Sequence, residues 1–468
     1  MLSSLKLARG YEPRLAAHNA TPPRSSGPSY ILTSFQDGAV LGDGLRLLVS
    51  QDALHWSELQ GSPLLLPLEK LRRLGAKVFR DPSIVFHGGR FHLVFTSDLC
   101  VDQVYGHWQC RRHSKSRPVA RFGYAHSRDL VRWEGARLVD APVHDACSLW
   151  APEASVLPPN EGGGLLVVFT VTQSPGLCPS SMRESDHRPY YVISRDFKHF
   201  SKPKPLRVHS GQSIIDMFPL LQSGGAAGGG ARGNALVAAN PESDHESDHE
   251  GDHEDGGASA AGGKHLLFYK AETNLCGPPY EAPLEWAYGS TLYTNASCSL
   301  VLRVARAHKA TGEWLPDPTA RGAFFTDAIS RPCVEGPTVV RSPDGAWILL
   351  FDNYRSDCVL VVPQATGPCT HVGEQVASDI GLRPRHLRSE AHHACLYEPA
   401  RLGFGALRSS DLATWTDITG RVHVPPFHKH GTAMRLTPRA WQQVCEEVLP
   451  QSPFELVCLE RQSTEHSP

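Results

Sequence analysis

The sequence predicts an all-β chain folded as a five-bladed β-propeller closed by pairing of N- and C-terminal strands. Three observations lead there. Short apolar runs recur in triplets, each triplet ends in a similar turn and an aromatic residue, and one triplet is split between the two ends of the chain. No long segment shows the 3.6-residue period of an amphipathic helix, and Gly, Pro, Asn and Asp punctuate the runs as they do strands.

The first complete unit runs RDPSIVF (80–86), FHLVFTS (91–97) and FGYAHS (122–127), and ends at Trp133. The second runs WAPEASVL (150–157), LLVVFTV (165–171) and YYVISR (190–195), and ends at Phe200. The third is SIIDMFPLL (213–221), HLLFYKA (265–271) and LVLRVAR (300–306), with Trp314 after it. The fourth is VEGPTVV (334–340), WILLFDN (347–353) and LGFGALR (402–408), with Trp415. The fifth opens with KHGTAMRL (429–436) and takes its other strands from YILTSF (30–35) and LRLLVSQ (45–51), with Trp56. Closing a ring in this way leaves no open sheet edge around it.

The turn repeats as S-x-D-x-x-x-[W/F] at Ser50/Asp52/Trp56, Ser127/Asp129/Trp133, Ser194/Asp196/Phe200 and Ser409/Asp411/Trp415. An Asp in this position bonds nearby backbone N–H groups, and the aromatic covers the sheet end. The unit ending at Trp314 departs from the pattern with KATGEW.

Around the propeller domain, 30–437, the sequence predicts a disordered extension over 1–29 and a tail over 438–468 with a short helix near 439–449. A low-complexity insert at 224–263 contains the SDHE repeat, which is too polar and Gly-rich to pack and reads as a solvated loop rather than a metal site. An inserted loop is expected across 357–400. Lys+Arg 46 against Asp+Glu 48 gives a net charge of −2. That balance gives no electrostatic case for nucleic acid or an anionic membrane as partner, and a single-chain monomer is expected. No apolar run reaches membrane-spanning length and no secretory leader is evident. The twelve cysteines form no close CxxC pair. Their even number, with loop-like pairs such as Cys100/Cys110 and Cys276/Cys298, suits disulfides. Sequons begin at Asn19 and Asn295. The compartment stays open.

Five polar residues sit at the mouths of the opening strands: Asp81, Glu153, Asp216, Glu335 and His430. First strands of propeller blades line the central channel in one direction, so these residues are expected around one funnel. Crowded carboxylates cannot all ionise freely, and a raised pKa beside an ordinary one is what a general acid and a general base need. Glycosidic hydrolysis uses such a pair. Trp150 beside the site could stack on a sugar face.

RDPSI, WAPE, the Ile-Asp pair at 215–216, EGP and HGT, in this order, resemble the glycoside hydrolases of family 43, five-bladed propellers that invert arabinofuranosides, xylosides or galactofuranosides. The resemblance covers roughly 30–437. It implies Asp81 as general base, Glu335 as general acid, and Asp216 as the residue that raises the acid's pKa and orients it. By the same resemblance Trp150, Glu153, Lys270, Glu272 and His430 line the substrate site, no cofactor is required, and a structural calcium or sodium ion near His430 is a further expectation. Two departures stand out. Met217 and Phe218 follow the third-motif Asp where many members have Pro or Ala, and Ala271 separates Lys270 from Glu272. The substrate implied is an oligo- or polysaccharide. Two alternatives remain: a carbohydrate-binding propeller without turnover, and a retaining fructosidase-like propeller, disfavoured because no N-D-P-N-G-like strand is present.

Overall fold

A computed structural model of the chain describes residues 30–36, 43–59, 65–97, 120–173, 186–210, 213–222, 264–272, 292–293, 301–322, 328–330, 334–353, 359–363, 382–388, 393–399, 403–426 and 428–447. The extension 1–29, the insert 224–263, the sequons, and the pairs Cys100/Cys110 and Cys276/Cys298 lie outside these residues. Cys147 and Cys445 are disulfide-bonded.

Five sheets form the ring, their four blade strands antiparallel, with Arg207–Val208 added in parallel at the outer edge of the third. Blade I contains Arg80–His87, Arg90–Thr96, Arg121–Ser127 and Glu134–Asp140. Blade II contains Ala146–Val156, Leu165–Gln173, Asp186–Ser194 and Lys204–Pro205. Blade III is built from Ser213–Leu220, His265–Glu272, Val301–Ala307 and Glu313–Pro316. Blade IV is built from Glu335–Arg341, Trp347–Asn353, Gly403–Ser409 and Thr416–Asp417. Blade V is the split one. Tyr30–Gln36 pairs with Gly44–Ser50 on one side and on the other with Ala433–Arg435 and His428–Lys429.

The period-2 alternation of each strand explains how the ring holds together. In Leu165–Gln173, Leu165, Val167 and Phe169 pack toward blade I, while Leu166 and Val168 pack toward blade III. Leu266 and Phe268 face blade IV, and Leu267 and Tyr269 face blade II. Val339 and Val340 divide between blades III and V, and Ile31 and Leu32 between blades I and IV. The core is therefore five apolar seams between blades rather than one central mass. Each fully buried Leu or Phe contributes about 1.5–3 kcal/mol by area.

The seams are also stitched near the axis. Ser83 Oγ accepts the Ala154 N–H at 3.0 Å, Thr170 Oγ1 donates to the Ile214 carbonyl at 3.3 Å, and Thr338 Oγ1 accepts the Ala433 N–H at 2.9 Å. Thr33 Oγ1 accepts the Thr432 N–H at 2.9 Å and donates to the Pro82 carbonyl, tying blade V to blade I. At the seam between blades III and IV a carboxylate takes this place: Asp216 Oδ2 accepts the Gly336 N–H at 3.2 Å.

The repeated turn has one geometry. Oδ1 of Asp52, Asp129, Asp196 and Asp411 accepts the backbone N–H groups two and three residues on. The residue after each Asp is left-handed: Ala53, Leu130, Phe197 and Leu412, with φ between +57° and +66°. The indole N–H of Trp56, Trp133 and Trp415 then donates to the carbonyl of that residue. Phe200 has no such donor and packs edge-on against Phe122 and Tyr124 instead.

One stretch differs from expectation. The span 357–400, read as a loop, contains Val359–Pro363, Leu382–Arg388 and His393–Pro399, which pair with one another beside Leu292–Tyr293 in a small separate sheet. All three strands contain an internal or terminal proline, Pro363, Pro384 and Pro399, which weakens the strand signal in the sequence. The tail begins with a helix, Pro438–Glu447, whose Ala440, Trp441 and Val444 are buried in the seam between blades V and I. No described helix is long and apolar enough to cross a membrane.

Candidate active site

Each inner strand carries one β-bulge near its start, at which a residue turns left-handed and the register with the second strand slips. The bulge residues are Asp81 (φ +51°), Ala151 (+42°), Asp216 (+54°), Gly336 (+62°) and His430 (+27°). In blades I to IV the register breaks across the bulge, between Arg80 and Ser83, Trp150 and Glu153, Ile215 and Phe218, and Glu335 and Thr338. Left-handed non-glycine residues cost about 1–3 kcal/mol each and cluster where a side chain must be re-aimed. The five strand-mouth residues are therefore not equivalent, as their similar motifs suggested. Asp81, Asp216 and His430 share the bulge position. Glu335 stands one residue before its bulge, and Glu153 two residues after.

Asp81, Asp216, Glu335, Lys270 and His430 are brought together. Asp81 Oδ2 accepts the Thr96 hydroxyl at 2.8 Å, and Thr96 Oγ1 itself accepts the Ala151 N–H at 2.9 Å, so its proton is directed at Asp81. Asp81 Oδ1 lies 3.3 Å from His430 Nδ1. Burial lowers the His430 pKa, but Asp216, Asp81, Asp352 and Glu335 outweigh it and push the imidazole up to about 9. The surrounding carboxylates thus favour its imidazolium form. Among the described residues no group of three or more His, Cys, Asp or Glu could hold a metal ion.

Glu335 lies between two ammonium groups, with Oε2 3.0 Å from Lys270 Nζ and Oε1 2.9 Å from Lys429 Nζ. Burial would raise its carboxyl, yet the charges of Lys429 and Lys270 prevail and hold it near 2. Asp216 is raised to about 6, chiefly by burial, with Glu335 and Asp81 adding repulsion against the attraction of His430 and Lys270. In the free protein Asp216 carries the raised pKa, and the lysines depress Glu335.

Glu153 is buried and held from blade V. Its carboxyl accepts the Thr432 hydroxyl at 2.9 and 3.1 Å, Ser83 also bonds it, and burial pushes it up to about 8. This carboxyl, expected to hold sugar, is already engaged within the ring. Trp150 is only partly buried and its indole N–H donates to Thr172 Oγ1 at 3.2 Å. Glu272 ends the strand His265–Glu272, opposite Ser213; its side chain lies outside the described residues.

Three participants escaped the sequence reading. Lys429 precedes His430 in the same motif but reads as an ordinary solvated lysine. Thr96 ends an apolar run where a hydroxyl has no pattern of its own. Asp352 is fully buried in WILLFDN, opposite Glu335 in register, and burial followed by the Glu335 charge raises it to about 8. An acidic residue inside an apolar strand was the available signal, one read for Asp216 but not for Asp352.

Residues 27–226 match a family related to glycoside hydrolase family 43, described as "Probable glycosyl hydrolase domain". Solved structures similar to this chain include a thermostable family-43 glycoside hydrolase, 12% identical over 85% of this chain and 92% of that one, with a TM-score of 0.39. Another is an endo-arabinase from Bacteroides thetaiotaomicron VPI-5482, at 10% identity, 79% and 89% coverage and a TM-score of 0.37. A third is a family-43 enzyme from Xanthomonas citri complexed with xylose, at 13% identity, 72% coverage of each chain and a TM-score of 0.33. Among curated proteins none matches significantly. The match covers 200 of the 468 residues and is similarity to a glycosyl hydrolase domain over that part of the chain, on a fold that is a five-bladed β-propeller.

Proposed function

We propose that the chain is a glycosidase that removes terminal arabinofuranosyl, xylosyl or galactofuranosyl-type residues from an oligo- or polysaccharide in a single inverting displacement. The observation that carries the reading is the contrast between two carboxylates at one funnel. Asp81 is held by one hydroxyl and faced by an imidazolium, and Glu335 is clasped by two lysines.

In this mechanism Asp81 Oδ1 or Oδ2 takes a proton from a water molecule as that water attacks the anomeric carbon. Thr96 fixes the carboxylate's orientation. The C–O bond to the leaving group breaks as Glu335 delivers a proton to the departing oxygen. Asp216, tied to the Gly336 N–H next to Glu335, sets the backbone that carries the acid. In this reading Trp150 stacks on a sugar face, and Lys270 and His430 bond sugar hydroxyls. General acid and base contributions of about 10²–10⁴-fold each are typical of such positioned groups.

The test is a panel of 4-nitrophenyl arabinofuranoside, xyloside and galactofuranoside with the unmodified protein, Asp81→Asn and Glu335→Gln. Turnover of at least one substrate should fall by about 10²-fold or more in Asp81→Asn. Proton NMR of the first-formed product should show the inverted anomer. Activity indifferent to both substitutions, or a retained anomer, overturns the assignment.

A further inference from the structure

Lys429 Nζ lies between two carboxyls, 2.9 Å from Glu335 Oε1 and 3.9 Å from Asp352 Oδ2. The two carboxyls belong to directly opposed residues on neighbouring strands of blade IV. Asp352 is fully buried, and neither of its oxygens takes a hydrogen bond among the described residues. A buried carboxyl left in this state is costly and calls for a reason. Room for it is made by Gly336, since a Cβ there would stand 2.5 Å from Asp352 Oδ1 and 2.9 Å from His430 Cγ. The charged groups acting on Asp352 are Glu335 from its own blade, Lys429 and His430 from blade V, and Asp216 from blade III.

We propose that Lys429 is a switch between Glu335 and Asp352, its ammonium moving from one carboxyl to the other so that the one proton they share comes to rest on Glu335 for catalysis. This deepens the proposed function and rests on Glu335 being the proton donor. In the resting arrangement the ammonium pairs with Glu335 and the proton stays on Asp352. The raised pKa of Asp352, due first to burial and then to Glu335, and the depressed pKa of Glu335 describe that state. When the ammonium swings to Asp352, the O–H bond on Asp352 breaks and one forms on Glu335 Oε1, the oxygen that Lys429 vacates. Lys429 keeps all its protons, and the summed charge of the three groups is unchanged. Lys270 remains on Oε2 throughout. Asp352 and Lys429 are positioning residues, since neither need touch the sugar.

The experiment compares glycosides of one sugar with a poor leaving group (methyl) and an activated one (2,4-dinitrophenyl) in the unmodified protein, Asp352→Asn and Glu335→Gln. An activated leaving group departs without a proton, so losing the acid shows as a split between substrates. In Asp352→Asn the loss of kcat/KM should be at least about tenfold greater on the methyl glycoside. Glu335→Gln should show the same split. A split in Glu335→Gln but equal losses in Asp352→Asn overturns the switch and leaves the role of Glu335 standing. No split in either overturns the assignment of Glu335, and the switch with it. Infrared spectroscopy supplies a readout that needs no turnover. At pH 7 the unmodified protein should show a protonated carboxyl band that shifts when aspartate carboxyls are labelled with carbon-13 and is lost in Asp352→Asn. Absence of that band overturns the proposal.

Discussion

Replacing Gly336 by Ala adds one methyl group where the ring has no room for it. The added Cβ would stand 2.5 Å from Asp352 Oδ1 and 2.9 Å from the His430 ring, at a backbone φ of +62°. The left-handed conformation costs an L-residue about 1–2 kcal/mol. Forcing a methyl into a packed site costs about 1–3 kcal/mol more. The two together give a loss of roughly 2–5 kcal/mol, which at about 2 °C per kcal/mol for a large domain lowers the melting temperature by roughly 4–10 °C. Gly345 provides the control. Its φ is +86°, and its nearest neighbour would be Arg341 Nη2 at 3.9 Å, so Gly345→Ala carries the backbone term without the collision. Thermal denaturation followed by circular dichroism, with kcat/KM measured on the same preparations, separates the two. Gly336→Ala should melt lower than Gly345→Ala and lose most of its turnover, because both Asp352 and His430 must move. Equal melting temperatures in the two variants, or full activity in Gly336→Ala, would refute the reasoning.

Three further outcomes are expected. Thr96→Val removes the donor to Asp81 and the acceptor of the Ala151 N–H, and should lower kcat/KM by roughly 10–100-fold; Thr96→Ser should restore it, and an unaffected Thr96→Val rejects the orienting role. Asp129→Ala orphans the Val131 and Arg132 N–H groups in the blade I turn, so it should destabilise by about 1–3 kcal/mol in denaturant titration while kcat holds. Stability should also fall as pH rises from about 5 to 9. Glu153 and Asp352 have folded pKa values raised to about 8, so their folded forms bind more protons than the unfolded chain between their ordinary range and pH 8. His430, raised to about 9, contributes stability present below its ordinary value and lost toward pH 9, whereas Glu335, held near 2, loses its contribution only in strong acid. Melting temperatures measured across pH should decline on the alkaline side, and Glu153→Gln should flatten the decline.

The ring was legible because its grammar is local. Ser-x-Asp turns, the aromatic that follows, and two-residue alternation are set by neighbours in sequence, and the split fifth unit follows from counting them. The candidate site was legible as motifs but not as geometry. Whether a carboxylate sits at a bulge, before it or beyond it depends on where register slips between strands, and RDPSI, WAPE and VEGP look alike in this respect. The charge state of Glu335 could not be read either. It is set by Lys429, 94 residues away along the chain, and by Lys270 on another blade. Leu382–Arg388 and His393–Pro399 lacked the continuous apolar runs of the blades, and Val359–Pro363 ends in a proline, so the span read as loop.

Blade V also sets the order in which the site can come into being during synthesis. Tyr30–Gln36 is made before every other blade strand, yet it must wait for His428–Lys429 and Ala433–Arg435 before its free edge is covered. Those late segments also bring Lys429 and His430 to carboxylates already present on blades I, III and IV. A nascent chain released before residue 430 would hold Asp81, Asp216, Glu335 and Asp352 with two of their cations missing, a cluster of acids pressing its own blades apart. Ring closure and charge neutralisation are then one event, and an incomplete chain marks itself by an open strand edge and an unbalanced centre.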